Sequence, residues 1–122
     1  MVGHGIDLVE IQRIKQIVER KPHFVTRYFS EKEKAYFDTK LQNSYQSLAA
    51  NFAAKEAVSK ALGTGIRGFD LRDIEILRNH LGAPYVLLSG RAKTLSERLE
   101  ITQWHISLSH SKNYAIASVI AM

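Results

Sequence analysis

No cysteine occurs anywhere in the chain, which excludes disulfides, thiolate metal sites and thiol catalysis together. That fits a reducing compartment without assigning one. The N-terminus, "MVGHGIDLVEI", lacks a basic segment followed by an apolar one, so the chain reads as having no signal peptide. The longest apolar run, "YAIASVIAM", is far too short to span a bilayer. No repeat, low-complexity tract or Pro/Gly/Ser linker interrupts the sequence. These absences predict a soluble cytoplasmic protein in which 1–122 form a single domain, with no membrane partner.

What is present is ordinary in bulk and uneven in detail. Hydrophobic residues make up 45% and charged residues 24% of 122 residues, a balance that suits one modest core. The net charge of +5 favours an anionic partner or ligand. Most of the excess sits between Gln12 and Tyr28, where Arg13, Lys15, Arg20, Lys21 and Arg27 face only Glu19. By itself such a run also suits a solvated basic face.

Periodicity predicts a strand over 2–8, then a helix carrying Val9, Ile11, Ile14, Ile17 and Val18 that stops before Pro22. A further helical turn follows at Phe24, Val25, Tyr28 and Phe29. Ser30 with Glu33 reads as a capping box opening a helix through about Thr39. Polar residues 40–46 read as a loop, and a long helix then runs to about Leu62. "IEILRN" and "PYVLLS" flank "HLGA" as one hairpin, a helix begins near Ser89, and "WHISLSH" and "YAIASVIA" flank "SKN" as a second hairpin. Helices packed with antiparallel hairpins make the fold class α+β.

The stretch "FAAKEAVSKALGTGI", residues 52–66, carries the first hint of chemistry. At about 100° per residue, Ala53, Ala54, Ala57, Val58, Ala61 and Leu62 share one side of a helix. Lys55, Glu56, Ser59 and Lys60 fall within an arc of about 140° on the other, and Phe52 lies inside that polar arc. One reading is an amphipathic core helix with a Glu56–Lys60 pair, closed by Gly63 in a left-handed cap. The other is a polar arc facing an anion, with glycines that let the ligand approach the backbone. "GTG" is not a Walker loop, because it follows a helix and no Gly-Lys-Ser/Thr comes after it. None of the five histidines has zinc-motif spacing. His105 alternates with Ser107 and Ser109, opposite Trp104, Ile106 and Leu108, and reads as structural.

Three stretches in order, "GIDLVEIQRI" at 5–14, "FAAKEAVSKALGTGI" at 52–66 and "HISLSHSKNYAIASV" at 105–119, together resemble the bacterial holo-acyl-carrier-protein synthases, the small 4′-phosphopantetheinyl transferases. The resemblance covers nearly the whole chain. It implies a small α+β domain that assembles as a homotrimer with active sites between subunits. It also implies Mg²⁺-dependent transfer of 4′-phosphopantetheine from coenzyme A to a serine of apo acyl carrier protein, releasing 3′,5′-ADP, in fatty acid biosynthesis. Phosphoryl transfer mainly demands charge neutralisation, and Mg²⁺ suits diphosphate and carboxylate oxygens.

By that resemblance Asp7 and Glu56 are the metal ligands and, with Lys60, the catalytic residues. Glu56, or a water it orients, takes the serine proton. Lys60 neutralises the diphosphate with Lys55 nearby, and Ser59, Gly63, Thr64 and Gly65 line the nucleotide pocket. His110 and Ser111 come from a neighbouring subunit. Arg13, Arg20 and Lys21 meet the acidic carrier, with Phe24 as an apolar anchor. Without the resemblance, Asp7 equally fits a strand-end residue capping the next helix.

Two positions depart from the family pattern: Asn51 and His23 stand where arginine is common. The first puts a coenzyme A phosphate contact in question, with Arg67 or Arg91 as replacements. Alternatives to the leading reading are a related transferase acting on polyketide or peptide synthetase carriers, and a non-catalytic coenzyme A- or nucleic-acid-binding domain. No nucleic-acid-binding motif is recognisable, so nucleic acid is not an expected partner.

Overall fold

In the computed structural model, residues 2–40, 42, 44–63 and 70–122 are described. The chain runs through β1 (Gly3–Glu10), α1 (Ile11–Arg20), α2 (Phe24–Tyr28), α3 (Glu31–Asp38) and α4 (Ser44–Ala61). A 3-10 turn at Leu71–Asp73 leads into β2 (Ile74–Arg78), β3 (Pro84–Leu88), α5 (Gly90–Arg98), β4 (Trp104–His110) and β5 (Tyr114–Ala121). The α+β class and both hairpins agree with the sequence reading. One antiparallel sheet has the order β1-β5-β4, and β2 and β3 form a second.

The first strand is longer than the periodicity predicts. Its ladder with β5 continues to Glu10 opposite Tyr114, and Ile11 N–H still donates to the Asn113 carbonyl at 2.8 Å. Val9 is therefore a buried strand residue, and the helix waits until the ladder ends. Asp7 is not a helix cap; the cap position of α1 is Glu10, which makes no side-chain cap bond.

α4 crosses β1 and β5 at backbone range. A Cβ on Gly3 would overlap the Ala61 carbonyl oxygen, and one on Gly5 would overlap that of Ala57. Facing them, Ala53, Ala57, Ala115 and Ala117 are fully buried. Small residues on both partners bring helix and strand together closely, with dispersion contacts and no gap for water.

The polar arc expected on α4 is mostly not a surface. Lys55 and Ser59 are each 0% exposed, because β2 and α3 cover the side of the helix that the sheet does not. Lys55 Nζ forms an ion pair with Glu33 Oε1 at 2.6 Å and donates to the carbonyls of Leu71 at 2.8 Å and Ile74 at 2.5 Å. Glu33 Oε2 accepts from Asn51 Nδ2 at 3.2 Å and from Ile76 N–H at 3.3 Å. Burial pushes the Glu33 carboxyl up and the Lys55 ammonium down, and each partner's charge pulls the other back. The predicted capping box is present, so Glu33 caps α3 and pairs with Lys55 at once. Phe52, the misplaced aromatic of the arc, packs edge-on and tilted against Phe24, Tyr28 and Phe29 with centroids 5.6–6.4 Å away.

The sheet face turned away from α4 stays open. Ile6 is 50% and Leu8 61% exposed there, beside Ile120 on β5. Among the described residues no helix is long and apolar enough to cross a membrane.

Candidate active site

The close contact of β1 with α4 puts two carboxylates together. Asp7 lies two residues beyond Gly5 on the same face of β1, and Glu56 precedes Ala57, the residue that Gly5 touches. Both line a cleft of about 520 Å³ with Arg13, Phe52 and Tyr114. One helical turn further, Lys60 Nζ donates to Asp7 Oδ1 at 3.1 Å and to the Ile6 carbonyl at 2.8 Å. Lys60 thus pairs with Asp7, and no ion pair with Glu56 forms among the described residues.

The other oxygen of Asp7, Oδ2, is buried and has no hydrogen-bond partner among the described residues. Such an oxygen costs about 1–3 kcal/mol unless something compensates it. Burial, and then the negative charge of Asp7, push the Glu56 carboxyl above its ordinary value, with Lys60 opposing. Two close carboxylates, one of them with an unsatisfied oxygen, suit a hard divalent cation with oxygen ligands. Among the described residues no cluster of three or more His, Cys, Asp or Glu exists, so most of the cation's shell would come from ligand and water.

Asp7 is therefore brought together with Glu56 and Lys60, which stand far from it in sequence on α4, as expected. Other expectations need correction. Lys55, placed near the nucleotide by the sequence reading, points into the core and is consumed by Glu33 and two carbonyls. Ser59 is buried as well, its Oγ donating to the Lys55 carbonyl at 2.9 Å. Gly63 is exposed and adopts φ +81°, the left-handed cap that the sequence suggests, just past the end of α4. Thr64, Gly65 and Arg67 lie outside the described residues.

His110 and Ser111 are exposed at the β4–β5 turn, where the Ser111 hydroxyl accepts from the N–H groups of Asn113 and Tyr114. His110 is on β4, across β5 from β1. Phe24 is only 7% exposed and belongs to the aromatic cluster, so it is not a protruding anchor. It does form the floor of a small hollow rimmed by Lys21, His23 and Arg27. Arg13, expected only at a docking face, lines the carboxylate cleft itself, while Arg20 and Lys21 are exposed at the end of α1. His105 is exposed on the alternating face that the sequence assigns.

Asn51 is fully buried and is not an empty ligand contact; its Oδ1 accepts from Arg78 Nη2 at 3.0 Å. Arg91, offered as a replacement, is exposed on α5 and lines neither cleft that holds these residues. Tyr114 in the carboxylate cleft and Arg78 beside Asn51 were missed by the sequence reading. Arg78 lies outside the three stretches that carry the resemblance, Tyr114 lies inside the third without being singled out there, and only the fold brings either near the 52–66 helix.

Comparison with known proteins bears on the whole chain. The family model described as the 4′-phosphopantetheinyl transferase superfamily matches residues 3–119. A holo-[acyl-carrier-protein] synthase of Caldanaerobacter subterraneus is 47% identical over 118 residues, covering 97% of this chain and 92% of its own. The crystal structure of holo-[acyl-carrier-protein] synthase from Neisseria meningitidis is 31% identical with a TM-score of 0.91, over 100% of this chain and 98% of that one. A Helicobacter pylori synthase solved in complex with coenzyme A is 36% identical with a TM-score of 0.82, over 98% and 99% of the two chains.

Proposed function

The chain belongs to the 4′-phosphopantetheinyl transferase superfamily, and from that premise we propose that it transfers 4′-phosphopantetheine from coenzyme A to a serine hydroxyl of apo acyl carrier protein. The single observation that carries the site assignment is the Asp7–Glu56–Lys60 group, with its unsatisfied buried Asp7 oxygen. In the reaction the serine oxygen attacks the phosphorus that bears pantetheine. The bond from that phosphorus to the bridging oxygen breaks, and the electron pair leaves with 3′,5′-ADP. The serine proton passes to Glu56 or to a water it orients, for which a carboxyl with a raised proton affinity is suited.

Asp7 and Glu56 would hold Mg²⁺, which supplies neutralisation of the diphosphate and polarisation of the phosphoryl group when bound. Lys60 is half exposed on its side chain, free to trade Asp7 Oδ1 for an oxygen of the leaving diphosphate. Negative charge on that group grows toward the transition state, so this ammonium acts on the rate more than on ground-state binding. Gly63, with Thr64 and Gly65 after it, would border the nucleotide where α4 ends.

The open face bearing Ile6, Leu8 and Ile120 supports assembly with further copies, in line with a homotrimer whose His110 and Ser111 reach a neighbour's site. The exposed cations Arg13, Arg20 and Lys21 suit an acidic carrier, with the Phe24 hollow as a secondary contact. Transfer to acyl carrier protein would serve fatty acid biosynthesis in the cytoplasm. The test is to incubate the protein with coenzyme A, Mg²⁺ and apo acyl carrier protein and weigh the carrier. A gain of one phosphopantetheine that EDTA abolishes is expected, and an unmodified carrier would overturn the reading.

A further inference from the structure

The ion pair between Lys60 and Asp7 engages a carboxylate that a metal ion would also claim. Lys60 Nζ donates to Asp7 Oδ1 at 3.1 Å and to the Ile6 carbonyl at 2.8 Å, so it rests on two acceptors of β1. The Asp7 side chain is 12% exposed and that of Lys60 51%, which makes the ammonium the solvent-side partner. Asp7 Oδ2 is buried and has no partner among the described residues. One carboxylate thus serves the lysine through one oxygen and keeps the other for a cation. Glu56 lines the same cleft one helical turn before Lys60, within reach of the charges of both Asp7 and Lys60.

Charge decides what such a group accepts. With both carboxylates ionised, Asp7, Glu56 and Lys60 sum to −1, two negative charges and one positive. A dication entering alone would turn that sum to +1 directly beside an ammonium, and a diphosphate entering alone would turn it to −3. The two together restore −1, because the two charges of a diphosphate diester cancel those of the dication. Like charges a few ångströms apart in a partly desolvated cleft repel strongly, so each lone ligand is disfavoured. The lysine can also move. A half-exposed ion pair contributes little net stability, and the four-carbon stem of lysine is flexible, so a diphosphate oxygen can draw the ammonium off Asp7 at small cost.

Resting on the transferase reading above, we propose that Lys60 is an internal counter-cation that opposes a lone divalent metal ion at Asp7 and Glu56 and leaves Asp7 only for a diphosphate, so that metal and coenzyme A enter the site as a pair. This role is exercised before the reaction and is separate from the action of Lys60 on the leaving group. Such coupling is reciprocal: the factor by which coenzyme A tightens the metal equals the factor by which the metal tightens coenzyme A. The protein without its donor then holds metal weakly, and the reaction centre is completed only when the phosphoryl donor is present.

The experiment titrates Mg²⁺ by calorimetry, and Mn²⁺ by electron paramagnetic resonance, into wild type, Lys60→Met and Lys60→Arg. Each titration is run with and without coenzyme A and always without carrier protein, so no transfer takes place. Without coenzyme A, Lys60→Met is expected to bind either ion about 10-fold or more tightly than wild type, because a neighbouring like charge is gone, while Lys60→Arg stays near wild type. With coenzyme A the gain should shrink to about twofold or less, so that the coupling factor falls by about 5-fold or more. A lysine that only braced Asp7 would give the opposite sign, with metal binding weakened on its removal. Unchanged or weaker metal binding by Lys60→Met without coenzyme A overturns the proposal, as does a gain that persists undiminished with coenzyme A. Wild type that binds neither ion under either condition overturns it as well. A carrier that stays unmodified in a separate transfer assay, while these differences in metal binding appear, sinks only the transferase reading.

Discussion

Lys60 Nζ sits 3.1 Å from Asp7 Oδ1, while Asp7 Oδ2 on the far side of the same carboxylate is buried with no partner among the described residues. One half of the carboxylate is neutralised by a half-exposed cation and the other half is left unsatisfied. Lys60→Ala should therefore lower kcat by about 10²-fold or more while changing the KM for coenzyme A far less. Steady-state kinetics with varied coenzyme A checks this, and a change confined to KM would make Lys60 a binding residue.

Glu56 gives a stability prediction with a definite sign. Its carboxyl is raised, chiefly by burial and then by Asp7, so the folded state binds more protons than the unfolded chain between the ordinary value and the raised one. Stability contributed by the protonated group is lost as pH rises through that window. Glu56→Gln removes the buried like charge and should raise Tm by about 2–5 °C at neutral pH in EDTA. The gain should vanish below the ordinary carboxylate range, where wild-type Glu56 is protonated in both states. Thermal melts across pH settle it.

Lys55 and Lys60 are separated by little more than a helical turn and should behave oppositely. Lys55→Ala leaves Glu33 buried without its cation and should cost about 3–5 kcal/mol of folding stability. Lys60→Ala should cost under about 1 kcal/mol, since its partner interaction is partly exposed. Replacing Glu33 and Lys55 together by Gln and Met should recover part of the loss. Urea unfolding of the three variants reads all of this directly.

Reversing Arg13 and Arg20 to glutamate should raise the KM for acyl carrier protein and flatten the response of carrier use to added salt, because exposed charges are screened beyond about 8–10 Å at physiological ionic strength. Arg13 also lines the carboxylate cleft, so Arg13→Glu alone should affect kcat, whereas Arg20→Glu alone should not. Carrier titrations at several salt concentrations separate the two.

The order of elements was legible because local signals agreed with the final contacts: Ser30 and Glu33 do form the capping box, and both hairpins close where the turn residues stand. The reach of β1 was misjudged because Val9 satisfies a helical period and a strand period alike, and only pairing with Ala115 decides. Lys55 and Ser59 were misread for a related reason. A helical projection treats every polar residue as surface, whereas the partner that lets Lys55 be buried, Glu33, stands 22 positions earlier on another helix. Asp7, Glu56 and Lys60 were singled out by family likeness, and their physical meeting depends on Gly5 against Ala57, a contact that spacing alone does not reveal. Arg78 was invisible in the sequence, since nothing there brings it to Asn51 or Tyr36.

The claim that Asp7 and Glu56 together form the reaction centre is tested most directly by the mass of apo acyl carrier protein after reaction with coenzyme A, over a range of Mg²⁺ concentrations, for wild type, Asp7→Asn and Glu56→Gln. The account predicts Mg²⁺-dependent conversion by wild type and a loss of about 10²–10⁴-fold in each variant, with circular dichroism showing both still folded. Conversion by either variant at the wild-type rate with the same Mg²⁺ dependence would contradict it.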